Sequence, residues 1–259
     1  LKVSEKFPVK HVSNRMGGSL YSVKKSGAGH NVFDYLLASK ETQLEMERIC
    51  TDHLKRTDAY LAPGAHYQEV KYSPKEKAKF KECVASIVSP CYRRPEFIGP
   101  AIESVWAQTV QNIEMIIVVN GGESDPTIPA VKRYMKGGEK YDAKKPPVRL
   151  IVVDVNNLGL CLNYGCEQAK GKFYIQLDSD DQLEPNAVEE IVKVFDADPK
   201  IGMVIGSYAV WELKADGKLV RNESVPVVTH AEWTEDNGRN NLLRINGAGA
   251  PRAFHIKAM

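Results

Sequence analysis

The stretch that most constrains the fold lies at residues 171–185, where an apolar run is followed at once by acids. Residues 173–177 have the length and the β-rich composition of a buried strand. Three carboxylates, those of Asp178, Asp180 and Asp181, follow within four residues. Ligands of open α/β sheets bind outside the carboxyl ends of the strands. The stretch therefore predicts a ligand site at the end of this strand.

Strand-like and helix-like patterns alternate along the chain from residue 84 onward. The predicted strands lie at 84–89, 113–119, 148–153, 173–177 and 202–211, with a return at 219–228 after a turn at 214–218. The predicted helices lie near 97–106, 130–135 and 157–169, and from Pro185 onward. This alternation predicts an α/β fold with a mostly parallel sheet and helices on both faces.

Residues 1–80 have a different pattern from the rest of the chain. Residues 1–30 are polar and rich in glycine and serine, which predicts a loop or tail. Residues 32–59 have a helical apolar stripe, which could pack on the main domain, bind a partner or lie on a membrane; packing is favoured. Ser73 and Pro74 predict the start of a short lysine-rich helix, interpreted as a solvated face. We expect a loop and helical extension over 1–80 and the α/β domain over 81–259.

Composition limits the classes of partner. The formal net charge of +2 does not favour a nucleic acid partner. No apolar run approaches the roughly 18–20 residues of a membrane span, and no signal-peptide pattern opens the chain. The five cysteines lack CxxC spacing, which predicts reduced thiols and no zinc site. For His230 and His255, a surface or packing role is favoured. We expect a cytoplasmic location, with membrane contact at most peripheral at the inner face.

The acids after the fourth strand allow two interpretations. Taken alone, an Asp-Ser-Asp-Asp segment is more typical of a solvated, helix-capping turn. The buried strand before it favours a metal site instead, because hard oxygen ligands on a rigid strand end suit Mg²⁺ or Mn²⁺. Such an ion would hold a diphosphate. An EF-hand loop does not fit, since Leu183 occupies the position that needs glycine.

Four segments, in the right order, resemble the family 2 glycosyltransferases, which have the nucleotide-sugar-binding GT-A fold. Residues 88–96 (VSPCYRRPE) resemble a first strand ending in PTYNRPE, and residues 101–109 (AIESVWAQT) resemble the helix AIESVLAQT. Residues 163–165 (NYG) are similar to the RNxG segment, and residues 167–181 resemble EAARGEYIAFLDSDD. The resemblance covers about residues 82–259.

The resemblance implies a nucleotide-binding set. Its members are Pro90, Cys91, Tyr92, Arg94, Asn120, Asn163, Asp178 and Ser179. Tyr92 would stack on the base, and the backbone around Pro90 and Cys91 would line its edge. Val119 stands where family members usually have an acid. The next residue, Asn120, would hydrogen-bond the nucleotide instead. Cys91 replaces a usual threonine or serine and Arg93 a usual asparagine, and either change could shift the donor preference.

The resemblance also implies a metal and a donor-sugar region. Asp178 would face the ribose or the metal, and Asp180 would coordinate the Mn²⁺ or Mg²⁺ ion that bridges the phosphates. Asp181 would support it and face the donor-sugar and acceptor region. Gly249 and Ala250, in a segment at 247–254, would line the donor sugar.

The position of the catalytic base is less regular. In the family, an acidic pair that carries the base comes after the donor-sugar segment. Here Glu235 and Asp236 come before it. Two alternatives stay open: the base lies beyond Met259, so that the domain is incomplete at its C-terminal end, or Asp236 serves as the base. Motif order favours the first.

The function implied is an inverting, metal-dependent glycosyltransferase. It would move a sugar from a nucleotide-diphosphate donor, with UDP favoured over GDP, to a hydroxyl of a sugar or glycan acceptor in polysaccharide or glycoconjugate biosynthesis. A sugar nucleotidyltransferase is one alternative, but residues 90–92 do not supply the glycine-rich basic loop of that class. A non-catalytic nucleotide-sugar-binding or scaffold module is the other.

Overall fold

A computed structural model describes residues 5–8, 40–62, 64, 67–214, 217–229 and 250–259. The chain divides into two units, residues 1–65 with 231–247 and residues 66–230 with 248–259. The predicted loop at 1–30 lies outside the described residues, apart from 5–8, and so does the start of the helix predicted at 32–59. The division of the chain at residue 80 stays a prediction.

The first unit contains helix α1 (Lys40–Arg56), which confirms an N-terminal helix. Two basic side chains of its last turn contact Glu5, with His53 Nδ1 at 2.6 Å and Arg56 Nη2 at 2.8 Å from Glu5 Oε1. Hydrogen bonds from Arg56 and His53 lower the pKa of the Glu5 carboxyl to about 2. These contacts connect the described part of the N-terminal segment to α1.

The second unit is built on a six-stranded sheet and a separate two-stranded hairpin. Its strands are β1 (Ala85–Cys91), β2 (Ile113–Val119), β3 (Val148–Val152), β4 (Phe173–Gln176), β5 (Met203–Ile205), β6 (Trp211–Leu213), β7 (Leu219–Arg221) and β8 (Arg252–His255). Its helices are α2 (Pro74–Lys79), α3 (Ile98–Trp106), α4 (Thr127–Lys132), α5 (Leu158–Gln168) and α6 (Ala187–Ala197).

The strand order in the large sheet is β3-β2-β1-β4-β8-β5. Strands β1 to β4 are parallel to their neighbours, whereas β8 runs antiparallel to both β4 and β5. All seven residues of β1 and all seven of β2 are buried, as expected for central strands covered on both faces. Residues from α3, α4 and α6 pack on one face and residues from α5 on the other. The predicted α/β fold with a mostly parallel sheet is confirmed.

The predicted strand at 202–211 is wrong as a single element. Strand β5 ends at Ile205, and the Gly206 N–H makes one more bond in the same register, to the Pro251 carbonyl oxygen (2.8 Å). The chain then leaves β8, because Tyr208 pairs with Val228 instead. Strands β6 and β7 then form the hairpin, with the Lys214 N–H bonded to the Lys218 carbonyl oxygen at 2.8 Å, so the turn at 214–218 is confirmed by its ends. The return strand ends at Arg221 and not at Val228 as predicted. Val228 itself forms only an isolated bridge to Tyr208.

Two other boundaries differ from expectation. Helix α6 begins at Ala187, after Asn186 as its N-cap residue, and not at Pro185. Strand β8 was not expected. The short helix α2 was expected, and Ser73 caps it: its hydroxyl accepts the Glu76 N–H, and the Glu76 carboxylate accepts the Ser73 N–H. No helix in the described ranges is long and apolar enough to cross a membrane.

The strand order places a crevice beside β1. Successive crossovers carry the chain from β1 outward to β2 and β3, and the next crossover returns it to β4 on the other side of β1. At such a reversal, the connections after the two adjacent strands diverge, and ligands of open α/β sheets bind between them. The residues after β1 and β4 therefore border the place where a ligand is expected.

Candidate functional site

An ion pair joins the loops that follow β1 and β4. Arg94 Nη1 lies 3.7 Å from Asp180 Oδ2, and both side chains are about half exposed. The two residues follow neighbouring parallel strands, in which Val88 of β1 lies opposite Gln176 of β4. The structure therefore brings together two residues that the sequence placed in one site, although 86 positions separate them.

A second arginine contacts the first acid of the cluster. Asp178 Oδ1 accepts a hydrogen bond from Gln176 Nε2 at 3.0 Å, and Asp178 Oδ2 lies 3.9 Å from Arg252 Nη2. Arg252 lies on β8, directly opposite Gln176. Its Nε is buried and has no hydrogen-bond partner among the described residues. Sequence reasoning missed Arg252; the signal available was its position in the 247–254 segment expected to line the donor sugar.

The Asp181 carboxyl has a raised proton affinity. Its side chain reaches solvent, but the surrounding protein partly withdraws it from bulk water. This desolvation, together with the negative charges of Asp178 and Asp180, raises the pKa of the Asp181 carboxyl to about 6. Asp181 would therefore gain a proton more readily than an ordinary aspartate.

The loop after β1 has a strained residue with specific support. Arg93 has a φ of +51°, which is uncommon for a residue with a side chain. Its backbone N–H donates to Asp125 Oδ2 at 3.0 Å, and the Arg94 N–H donates to Thr127 Oγ1 at 2.9 Å. The Thr127 N–H in turn donates to Asp125 Oδ1 at 2.8 Å. Asp125, which sequence reasoning also missed, thus fixes the loop from the segment before α4.

The charge of Asp125 follows from these bonds. Burial by itself raises the pKa of the Asp125 carboxyl, but hydrogen bonds from the side chain and backbone of Thr127 and the backbone of Arg93 outweigh it. The net result is a lowered pKa and an ionised carboxylate at neutral pH. No separate sequence motif marks this residue, because its loop partner Arg93 lies 32 positions away.

Tyr92 is the exposed aromatic residue of the loop after β1. Its side chain is 41% exposed, and the Arg93 guanidinium lies 5.4 Å from the centre of its ring. A partly exposed ring at a strand end can stack on a planar ligand. Next to it, Cys91 and Ser179 are buried, and burial raises the pKa of the Cys91 thiol, which is therefore protonated at neutral pH. Cys91 and Ser179 belong to the wall of the crevice, as does the buried Pro90.

Asn120 extends the site to the end of β2. Its backbone N–H donates to the Cys91 carbonyl oxygen at 3.0 Å, and its Nδ2 donates to Asn156 Oδ1 at 3.2 Å. Its Oδ1 is buried and accepts no hydrogen bond within the described part of the chain. Asn163 is different: it is exposed on α5, and no hydrogen bond of its side chain ties it to the strand ends in the described structure.

The remaining predicted residues cannot be placed in the site. Ala250 is described and precedes β8, separated from Arg252 by Pro251 alone. Asp236 and Gly249 lie outside the described residues, as does His230. Their assigned roles stay predictions.

The acids fit a metal that is shared with a ligand. The described residues contain no group of three or more His, Cys, Asp or Glu side chains that could hold a metal ion on its own. Mg²⁺, however, is typically held by one or two carboxylates together with substrate phosphates and water. Asp178 and Asp180 supply two carboxylates after one strand, and each lies near an arginine that can also contact phosphate. The donor set is therefore compatible with Mg²⁺ or Mn²⁺ bound jointly with a diphosphate.

Two solved structures resemble part of the chain. One is Staphylococcus aureus TarS 1–349 in complex with UDP, at 21% identity and a TM-score of 0.38, covering 44% of this chain and 32% of that one. The other is the mannosyltransferase PcManGT from Pyrobaculum calidifontis in complex with GDP-Man and Mn²⁺, at 17% identity and a TM-score of 0.44, covering 64% of this chain and 44% of that one.

Sequence comparison connects the chain to glycosyltransferases over the same region. EpsH of Bacillus subtilis (strain 168), which its name describes as a glycosyltransferase, is 28% identical over 169 residues, or 65% of this chain and 44% of that protein. The chondroitin synthase of Pasteurella multocida (strain Pm70) is 30% identical over 139 residues, or 54% of this chain and 13% of that protein. The chain thus spans less than half the length of these relatives. Residues 86–246, more than half of the chain, match the family Glycosyl transferase family 2, and the chain therefore belongs to that family.

Proposed function

We propose that the chain transfers a sugar, with inversion, from a nucleotide-diphosphate donor to a hydroxyl group of a sugar or glycan acceptor. The observation that carries this proposal is the approach of Arg94 to Asp180 at the reversal of strand order. It joins the loops after β1 and β4 into one charged crevice. Membership of the family supports the reaction class.

The nucleotide would lie across the ends of β1 and β2. Tyr92 is exposed enough to stack on the base, and the buried Asn120 Oδ1 is an acceptor that has no donor in the described ranges. Asp125 keeps the loop of Tyr92 in shape through the Arg93 and Thr127 backbones. UDP is the proposed nucleotide, and GDP is the competitor that the experiment below includes.

The diphosphate would lie beside the acids and arginines at the end of β4. Asp178 and Asp180 would hold Mn²⁺ or Mg²⁺, which neutralises the negative charge that builds on the leaving diphosphate. Arg94 lies near Asp180 and Arg252 lies near Asp178. Both arginines could bind phosphate oxygens of the donor. Arg252 Nε is a buried donor without an acceptor among the residues that the structure describes, which supports a role in holding an anionic ligand.

The reaction also needs a base to remove the proton of the attacking hydroxyl. Asp236 is the candidate within this chain, and an acid outside the chain is the alternative. If Asp236 is the base, Asp236→Asn would lower turnover at least a hundredfold, the usual scale of such a group, and leave UDP affinity unchanged. Unchanged turnover of this variant would show that Asp236 is not the base, and it would not affect the assignment of the donor site.

Calorimetric titration of UDP and of GDP tests the donor site, with Mn²⁺ and then with chelator. We expect UDP to bind only with metal, and Asp180→Ala to weaken it by at least about tenfold. Glu167→Gln is the matched control, because Glu167 is an exposed acid on α5 away from the crevice. If neither nucleotide binds the unaltered protein, the donor site is wrongly assigned. Metal-dependent binding without sugar transfer to any tested glycan would favour the non-catalytic binding module.

A further inference from the structure

A cavity of about 540 Å³ opens at the opposite edge of the sheet from the acids. Lys172, which directly precedes β4, and His255, the last residue of β8, both line it. Strand β4 separates the cavity from Asp178 by four strand residues, which corresponds to about 13 Å at the usual rise per residue. The cavity is therefore distinct from the proposed donor site.

Aromatic rings form one part of the cavity wall. The Tyr72 and Phe80 rings meet edge to face with centroids 5.0 Å apart, and the Phe195 ring lies 4.8 Å from the His255 ring. Tyr72 Oη lies 3.0 Å from His255 Nδ1, which connects the two groups. Burial keeps His255 uncharged at neutral pH by lowering its pKa to about 4. This part of the wall is uncharged and aromatic, and a flat ring could pack against the face or the edge of these rings.

Lysines form the other part of the wall, and they outnumber the acids. Among the described residues, four lysines line the cavity (Lys71, Lys77, Lys81 and Lys172), against the single acid Asp196. The Lys172 ammonium is paired with Asp196 at 2.7 Å, and Lys71 lies 3.6 Å from Glu69. The ammonium groups of Lys77 and Lys81 have no ion pair or hydrogen bond within the described segments. Two uncompensated charges therefore border the aromatic wall.

Only some of the lysines near α2 line the cavity, and their spacing explains which ones do. Lys77 and Lys81 are four positions apart, which places them on one face of α2 and the turn after it. Lys75 and Lys79 belong to the same short segment but do not line the cavity. The segment thus directs two of its lysines to the cavity and two away from it.

We propose that this cavity binds an organic phosphate monoester with a planar ring, such as an aryl or nucleoside monophosphate. The ring would lie against Tyr72 and Phe80, and the phosphate would lie between the Lys77 and Lys81 ammonium groups. The volume is within the range of small-molecule sites, and a lysine binds phosphate as a flexible point charge. The site goes beyond the proposed sugar transfer, because it shares no residue with the donor crevice.

Phenyl phosphate is the probe, because it combines one ring with one phosphate. Its binding would be followed by NMR chemical shifts of the backbone amides in the full chain, with UDP and Mn²⁺ present to occupy the donor site. We expect saturable shifts at Lys172 and His255. Lys77→Gln/Lys81→Gln would weaken binding by about tenfold or more, whereas Lys75→Gln/Lys79→Gln, with the same loss of charge, would change it less than about twofold.

Three outcomes would overturn the proposal. The first is the absence of shifts at Lys172 and His255 with millimolar phenyl phosphate. The second is equal affinity for inorganic phosphate, which would show that the ring contributes nothing. The third is equal weakening by both pairs of lysine variants, which would indicate general attraction to a basic surface. Loss of UDP binding in Asp180→Ala would persist in each case, so failure here is distinguishable from failure of the donor site.

A vesicle-binding experiment distinguishes a small-molecule ligand from a membrane surface as the partner of these lysines. Phosphatidylglycerol vesicles carry phosphate groups but no planar ring. If the protein cosediments with them through Lys77 and Lys81 while phenyl phosphate does not bind, the lysines form a membrane-facing surface and the small-molecule site is wrong. Phenyl phosphate binding that is unaffected by the vesicles supports the proposal.

Discussion

At the scale of single residues, Asp125 shows how a buried carboxylate can shape a binding loop without touching a ligand. It accepts the backbone N–H of Arg93, whose φ of +51° is held by that bond, and the backbone N–H of Thr127. Tyr92 and Arg94 flank Arg93, so their directions depend on the same carboxylate. Asp125 is therefore a positioning residue for the proposed nucleotide site.

We expect Asp125→Ala to destabilise the fold by about 2–3 kcal/mol, because the buried Thr127 N–H and the partly buried Arg93 N–H would lose their acceptor. UDP affinity would fall as well, since Tyr92 would lose its fixed orientation. Urea denaturation and calorimetry measure the two effects. Glu123→Ala is the control: Glu123 is exposed in the same segment, and its loss should change stability by less than about 0.5 kcal/mol. Equal effects of the two variants would contradict the role given to Asp125.

Several of the residues named from the sequence lie near the ends of strands with a strong apolar pattern. The rule that ligands bind at carboxyl edges placed Asp180 there, whereas Tyr92 and Asn120 were assigned from the resemblance to family 2 glycosyltransferases. Asp125 and Arg252 could not be found in this way. Their partners are fixed by the register of separate strands and by loop geometry, which local sequence does not encode.

At the scale of elements, the packing of α5 on β1 depends on one glycine. A Cβ atom at Gly165 would overlap Val88 Cγ1 in the centre of β1. Val88 belongs to the smaller of the two core clusters, where it packs with Cys161 of α5. The close approach explains why the helix has a glycine in its third turn, where alanine would favour the helical state.

Two glycine variants of the same helix should have opposite effects. Gly165→Ala should destabilise the protein by about 1–3 kcal/mol, because the new methyl group forces α5 away from β1. Gly159→Ala should stabilise it by about 0.5–1 kcal/mol, because a Cβ there would make only an ordinary 3.5 Å contact with Asn157 Oδ1. Thermal or urea unfolding measures both. Stabilisation by Gly165→Ala would show that the helix has room to move.

Element prediction succeeded where the apolar run was continuous and failed where strands were short. The prediction at 113–119 has the same bounds as β2, whose seven residues are all buried. Strand β8 was missed because its four residues, with alternating burial, include Arg252 and His255, and its pairing partners lie far away in the chain. The single strand expected at 202–211 failed because only its first part pairs with β8, whereas Trp211 begins a separate hairpin with β7.

At the scale of the whole second unit, β8 inserts residues 252–255 between two strands of the large sheet, β4 and β5. Its insertion between β4 and β5 places His255 against rings from three distant segments, namely Tyr72, Phe173 and Phe195. The residue is 3% exposed, and its Nε2 has no hydrogen-bond partner among the described residues. The packing role favoured for His255 from the sequence agrees with this position. The neutral imidazole is thus part of the contacts that close the fold.

This burial makes the stability of the fold depend on pH. Desolvation lowers the pKa of His255 to about 4, with the Lys172 charge adding to the shift and the Asp196 charge opposing it. The unfolded chain has the ordinary value of about 6.5, so between these two values it binds more protons than the folded state. The contribution of the neutral His255 is therefore complete above about pH 6.5 and is lost as the pH falls toward 4.

The matched comparison is with His255→Phe, which keeps a ring among Tyr72, Phe173 and Phe195 but cannot take up a proton. Between pH 8 and pH 5, the unaltered protein should lose about 2 kcal/mol more of its free energy of unfolding than the variant does. Urea denaturation at several pH values measures this difference, and acids that titrate in both proteins cancel from it. Equal losses would mean that His255 has the same proton affinity in the folded and unfolded chains, which its burial should prevent. A larger loss in the variant would mean that the folded state prefers the charged imidazole, so that Asp196 rather than the aromatic wall controls its ionisation.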